Sequence, residues 1–195
     1  MSQVSTAELI AGAIAGKLVS FPTDTVPALA ALPEKADFLF TAKQRSQNKP
    51  LILMAASAND LWSFVQGSDT EYEIWRQVAR KYWPGALTLV LPASTKVPPV
   101  MNPMNPTTIG IRVPDSAIAQ QILVQTGPLA TTSANLSGQT ALQTMVAINN
   151  AFPQVLTFKP MEGHKEPLGS GFASTVTQWE SEGSWQVLRQ GKIKL

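Results

Sequence analysis

The sequence contains no cysteine. Disulfides, thiolate metal sites and a cysteine nucleophile are thereby excluded, and the composition fits a reducing cytosol. Histidine occurs once, as His164, in the glycine-containing, charged stretch Lys159 to Phe172. A single imidazole in what reads as a mobile loop argues against a Ser-His-Asp triad and leaves no His cluster for a metal. His164 is read as solvated. No apolar run approaches the length that spans a bilayer. No basic stretch precedes an apolar run at the start, so no signal peptide is expected. Charged residues make up only 14%, the net charge is +2, and no dense Lys/Arg run stands out. Charge alone therefore does not indicate strong sequence-independent binding to nucleic acid. There is no Gly-x-x-x-x-Gly-Lys-Ser/Thr loop, no Gly-x-Gly-x-x-Gly fingerprint and no Gly-x-Ser-x-Gly elbow.

What is present is a 195-residue chain with 44% hydrophobic residues, enough for one sizeable domain with a packed core. Apolar runs alternate between strand-like and helix-like spacing, which predicts a single α/β domain with a mixed sheet. Ser5-Thr6-Ala7-Glu8 reads as a capping box opening a helix that stops at Gly16. Lys17 to Phe21 is a predicted strand. Helices are predicted over Glu34 to Lys43, with Phe38 and Leu39 inward, from Ser57-Ala58-Asn59-Asp60 onward, over Glu71 to Tyr82, Asp115 to Thr126 and Thr140 to Phe152. Strands are predicted at Leu51 to Met54, Leu87 to Leu91, Thr107 to Pro114, Val155 to Phe158, Ala173 to Thr177 and Trp185 to Arg189. The last two are expected to form a hairpin through Ser181 to Ser184. Pro92 to Pro106, with five prolines and no periodicity, reads as an ordered surface loop or lid.

Three segments carry candidate chemistry. Pro22-Thr23-Asp24-Thr25-Val26-Pro27 is a rigid polar loop at a strand end, suited to ligand groups or to an Asx turn. Lys43, Arg45 and Lys49 lie within seven residues. They either complement a helix C-terminus or clamp a polyphosphate, the arginine as a fork and the lysines as point charges. Pro128 to Gly138 passes from an apolar run into small hydroxyls and Asn135, a predicted strand and loop that reads either as a plain strand and turn or as a pocket floor for phosphate or carboxylate oxygens. Arg112, in an otherwise apolar strand, needs a partner if buried: an internal ion pair or a bound anion. Thr25, Lys43, Arg45, Lys49, Arg112, Thr131, Ser133, Asn135, Ser174 and Arg189 together suit chemistry at a phosphoryl centre, where positioning and charge neutralisation suffice without a protein nucleophile.

Pro22-Thr23-Asp24-Thr25-Val26, Lys43-x-Arg45 with Lys49-Pro50-Leu51, Trp83-Pro84-Gly85-x-Leu87-Thr88, Ile109 to Pro114, Thr132 to Gly138 and Ser174-Thr175-Val176 follow one another in that order. With that spacing the chain resembles the YrdC-like family of threonylcarbamoyl-adenylate synthases, from about Lys17 to Gly191, in its short, single-domain form. The resemblance implies one domain over residues 1–195, with a twisted mixed β-sheet and flanking helices, YrdC-like or DHBP-synthase-like. It implies formation of threonylcarbamoyl-AMP and pyrophosphate from L-threonine, bicarbonate or CO2, and ATP, in the cytoplasm, for modification of an adenosine in tRNA. Thr25, Arg112, Thr131 and Ser174 would line the threonine pocket. Arg45, Lys49, Thr108, Ser133, Asn135 and Arg189 would contact ATP. Lys43 and Arg45 would act in catalysis, and Mg²⁺ would arrive with ATP. Partners implied are tRNA or double-stranded RNA and downstream tRNA threonylcarbamoyl-transferase proteins, and no membrane.

The chain departs from the family pattern in places. Where Thr-Val-Tyr-Gly-Leu is usual it has Thr25-Val26-Pro27-Ala28-Leu29, and Lys-Gly-Arg-Pro has become Lys43-Gln44-Arg45-Ser46. Ala173 precedes Ser174-Thr175-Val176, and Gln190 follows Leu188-Arg189. Two alternatives follow from the altered loop: a paralogue that binds nucleotide or RNA without making this product, and an enzyme using a different amino or hydroxy acid.

Overall fold

The computed structural model describes residues 3–160, 169–180 and 183–195. In chain order the elements are β1 (Gln3–Val4), α1 (Thr6–Ile14), β2 (Val19–Phe21), β3 (Ala28–Ala31), α2 (Asp37–Lys43), β4 (Ile52–Met54), α3 (Asp69–Tyr82), β5 (Leu87–Pro92), β6 (Thr108–Arg112), α4 (Ala117–Thr126), β7 (Leu129–Ser133), α5 (Met145–Ala151), β8 (Leu156–Phe158), β9 (Thr175–Glu180) and β10 (Ser184–Arg189). The ten strands form one mixed sheet in the order β1-β8-β2-β3-β7-β4-β6-β5-β9-β10. β4 runs parallel to β6 and antiparallel to β7, and β3 is antiparallel to both its neighbours. This is the α/β architecture expected from the sequence. Among the described residues no helix is long and apolar enough to cross a membrane.

Local chemistry explains where the helices start. Ser5 caps α1 in a reciprocal box, Glu8 N–H donating to Ser5 Oγ and Ser5 N–H to Glu8 Oε2. Ser68 and Glu71 repeat the device at α3, and Ser116 rather than Asp115 caps α4. α2 begins at Asp37, because Pro33–Lys35 forms a separate 3-10 turn. Its Phe38, expected inward, is 43% exposed, while Leu39 and Phe40 are buried.

Two predicted helices are shorter than expected. After Ser57 only a 3-10 turn, Trp62–Phe64, forms. Ser57 donates through N–H and Oγ to Asp60 instead of accepting a helix N–H, and Val65 is drawn into a bridge with Ala93. α5 starts at Met145, not Thr140, because Leu142 N–H is pulled to Ala134 O, 2.8 Å away, and Thr144 then caps the helix. Two strands had no sequence signal: β1, only two residues long and paired with β8, and β3, four small or apolar residues, all buried. The C-terminal hairpin forms as β9 and β10, with Trp179 opposite Trp185, although residues 181–182 of its expected turn lie outside the described residues. Pro92 to Pro106 is an ordered loop, pinned where Met101 is fully buried and its carbonyl accepts from Leu51 N–H.

Strand alternation divides the sheet into two chemically different faces. One register row runs Ala31, Ala130, Leu53, Ile111, Leu89 and Thr177, all at most 1% exposed. All of these but Thr177 share a core with Leu9 and Ala13 of α1, Leu39 of α2, Ile122 of α4 and Ile148 of α5. Each large aliphatic side chain fully buried there contributes about 1.5–3 kcal/mol. The adjacent row is Ala30, Thr131, Ile52, Gly110, Val90 and Gln178. Five of its six members, all but Ala30, line an open cavity of about 600 Å³.

Candidate active site

The cavity follows β6, where Thr108, Gly110 and Arg112 face it and Ile109 and Ile111 face the core. From Thr108 to Arg112 the strand advances about 13 Å, which sets the length of the site. Gly110 keeps the middle open. A Cβ there would sit 3.4 Å from Thr88 Cγ2 and 3.5 Å from Ile52 Cγ1, so a larger side chain would fill the cavity rather than break the sheet.

Arg112 organises one end. It is buried, and three of its five donors are engaged. Nε donates to Gly85 O at 3.0 Å, Nη1 to Thr25 Oγ1 at 2.9 Å and Nη2 to Asp24 Oδ1 at 2.6 Å. The two remaining N–H groups have no partner among the described residues. The internal ion pair raised as one reading of Arg112 is therefore present. Burial lowers the guanidinium pKa, Asp24 raises it, and neighbouring Arg189 lowers it again. Thr23 Oγ1, 3.0 Å from Thr25 Oγ1, donates to Val26 O and closes the loop. The loop is also held from outside: Ser170 N–H donates to Asp24 O and Gly171 N–H to Thr25 O, both at 2.9 Å. Gly169 makes this approach fit, since a Cβ would lie 2.4 Å from Thr23 O and its φ is +106°. This end of the predicted mobile loop is thus anchored. His164 lies outside the described residues.

Ser174 and Arg189 also belong to the Arg112 end. Ser174 Oγ is 2.9 Å from Thr88 Oγ1, and Arg189 donates through Nε to Ser174 O and through Nη2 to Ser174 Oγ. Desolvation around its guanidinium lowers the Arg189 pKa, although the residue as a whole is exposed. Sequence reading put Ser174 and Arg189 in different subsites, and the structure joins them.

The other end gathers Thr108, Ser133, Asn135 and Arg45. Asn102 Nδ2 donates to Thr108 Oγ1 at 3.1 Å. Arg45 is fixed by its own loop, donating to Lys49 O and Pro50 O at 3.0 Å, and partial burial lowers its pKa. Ser133 Oγ donates to Asn135 Oδ1 at 2.5 Å, and Asn135 Nδ2 donates to Leu136 O and Gln139 O. Thr131 donates to Ile52 O at 3.0 Å from the floor.

Two expected site residues are not in the cavity wall. Lys49 is exposed and contributes only its carbonyl, to Arg45. Lys43 is fully buried behind the wall, where Nζ donates to Ser133 O and, at 3.2 Å, to Asn135 Oδ1. Desolvation, with Arg45 and Lys49 nearby, lowers its pKa to about 7. Lys43, expected to act in catalysis, thus meets the cavity through Ser133 and Asn135, because α2 turns its last residue inward. Conversely, Thr23, Thr88, Asn102 and Gln178 were missed as cavity residues. For Thr88 and Gln178, period-two alternation from Val90 and Val176 was the available signal.

Asp24, which holds Arg112 without itself lining the cavity, is paired, and the described residues include no group of three His, Asp or Glu side chains that could hold a metal ion. The described groups thus suit an anionic ligand better than a metal held by the protein alone.

The family model Sua5/YciO/YrdC, described as "Telomere recombination", matches residues 13–191. A threonylcarbamoyl-AMP synthase of Pyrococcus abyssi is 41% identical over 128 residues, covering 64% of this chain and 36% of that protein. One of Rattus norvegicus is 31% identical over 196 residues, 97% of this chain and 66% of that protein. The chain thus spans less than two thirds of the length of either relative. The crystal structure of P. abyssi Sua5 complexed with L-threonine superposes with a TM-score of 0.77 at 28% identity, over 97% of this chain and 55% of that one. With a match running from within α1 to just past β10, and with the fold shared, the chain belongs to the Sua5/YciO/YrdC family.

Proposed function

We propose that this chain forms one catalytic domain over residues 1–195 and is a cytoplasmic threonylcarbamoyl-AMP synthase, using L-threonine, bicarbonate or CO2, and ATP. The observation that carries the reading is the polarity of the cavity: arginines and hydroxyls at both ends of a slot about 13 Å long, with Asp24 already paired. Thr25, Arg112, Thr131 and Ser174 receive the amino acid, its carboxylate taking the two N–H groups of Arg112 left open. Arg45, Thr108, Ser133 and Asn135 receive the nucleotide. Arg189, bonded to Ser174 at the Arg112 end, offers charge to the phosphate that reacts. The threonine amine adds to CO2 to give a carbamate, losing a proton to water. A carbamate oxygen forms a bond to the α-phosphorus, the bond to the bridging oxygen breaks, and pyrophosphate leaves with the electron pair. The nucleophile belongs to the substrate, which accounts for a site without Ser-His machinery. Mg²⁺ enters as part of MgATP, held by phosphate oxygens and water.

Downstream, the product would pass to tRNA threonylcarbamoyl-transferase proteins, with tRNA or double-stranded RNA as further partners. Pro27 and Ala28, which line the cavity, favour a second reading: a relative that binds nucleotide or RNA without this activity. Pyrophosphate release separates the two. Threonine-dependent release supports the synthase, and ATP binding with no such release supports the second reading.

A further inference from the structure

A second cavity of about 420 Å³ lies outside this site. Its walls include the indoles of Trp62 and Trp83, the guanidinium groups of Arg76 and Arg80 on α3, and the small side chains Ala56 and Ala58. The two indole centroids are 6.2 Å apart and tilted by 31°, a stepped aromatic wall rather than a slot. The Trp83 indole N–H is engaged by Leu87 O at 2.7 Å, whereas that of Trp62 has no partner among the described residues. Arg76 and Arg80 share one carboxylate, Glu73, at 3.5 and 3.9 Å, and their side chains are 44% and 65% exposed. One carboxylate shared by two cations leaves a net positive charge beside an aromatic surface.

Such a combination matches a planar aromatic group carrying a phosphate. Aromatic rings accept bases of any identity by stacking, and arginine forks suit phosphate oxygens. Asp60 is held against this wall, one carboxylate oxygen accepting from N–H and Oγ of the lining residue Ser57, so the arginine forks lie on the α3 side of the cavity. We propose that this second cavity binds a nucleotide, its base against Trp62 or Trp83 and its phosphate on Arg80 and Arg76. The two cavities share a wall. Pro84 lines the second, while the carbonyl of Gly85, the next residue, receives Arg112 Nε of the first. Val113 likewise lines the second cavity and follows Arg112 in the chain. This site does not depend on the reaction assigned to the first.

The nucleotide could be free or part of a strand, and uridine probes avoid a preference for adenine in the first cavity. Binding of UMP and of a short fluorescein-labelled oligouridylate is measured on the full chain, with ultraviolet crosslinks mapped by mass spectrometry. Crosslinks are expected at Trp62 or Trp83, and Arg80→Glu and Trp62→Leu should each weaken binding about tenfold. Arg80 is exposed, so its variant keeps the test clear of unfolding, and melting curves check Trp62→Leu. Equal affinity for the two probes, per nucleotide, assigns the site to free nucleotides, and tighter oligomer binding assigns it to a strand. No binding of either probe, crosslinks confined to the first cavity, or wild-type affinity in Arg80→Glu would overturn the proposal.

Discussion

Asp24 and Arg112 meet through a 2.6 Å ion pair, with side chains only 14% and 5% exposed. The pair joins the polar loop before β3 to the end of β6, elements 88 residues apart in sequence. Removing either partner leaves a charge with little access to water. Arg112→Ala and Asp24→Ala should each cost about 3–5 kcal/mol of stability. Because each removes the same interaction, the double variant should lose less than the sum. Urea unfolding of the four proteins checks this, and additive losses would show that the pair is not coupled.

Lys43 gives a pH signature. Its folded-state pKa is about 7, against an ordinary 10.5. Between those values the unfolded chain holds a proton that the folded chain has released, so this residue makes stability rise with pH across that window. The difference in unfolding free energy between wild type and Lys43→Met should therefore change in favour of wild type from pH 6.5 towards 10, in steps of about 1.4 kcal/mol per pH unit at most. Parallel pH profiles for the two proteins would contradict a depressed pKa at Lys43.

Arg189 separates binding from folding. It is exposed, and its hydrogen bonds end on Ser174. Arg189→Ala should leave the melting temperature nearly unchanged while weakening MgATP binding by about 1.5–3 kcal/mol, the range for hydrogen bonds to charged groups. Titration calorimetry reads the affinity, and unchanged affinity would remove Arg189 from the nucleotide site.

Gly110 tests the position of the site. A Cβ there meets only side-chain carbons at 3.4 Å and beyond, so Gly110→Leu is expected to fold. Its side chain would occupy the cavity floor between Ile52 and Val90 and abolish binding of both threonine and ATP. Retained binding with a folded protein would place the ligands elsewhere.

How much of this was legible in the sequence depended on how local the cause was. The capping box of α1 is a four-residue signal and is read directly, whereas the equivalent box of Ser68 and Glu71 at α3 goes unread and the predicted helix starts two residues late. The small residues Ala28 to Ala31 carry no β-branched signal, and only pairing with β2 and β7 makes them a strand. Ser57 with Asp60 and Thr140 onward resembled helix starts, but long-range contacts from Ala93 and Ala134 decided otherwise. In the site, residue types were readable where strand ends carried polar groups, as at Arg112 and Ser174. The bond from Arg189 to Ser174, the turning of Lys43 behind Ser133 and the outward position of Lys49 depend on tertiary packing. No spacing in the chain encodes them.

The central claim is the reaction itself. Purified protein incubated with ATP, Mg²⁺, L-threonine and ¹³C-bicarbonate should yield threonylcarbamoyl-AMP carrying the heavy carbon, identified by mass spectrometry, with pyrophosphate in equal amount and neither product when threonine is omitted. A protein that binds ATP yet forms no labelled adduct and releases no threonine-dependent pyrophosphate would contradict the account.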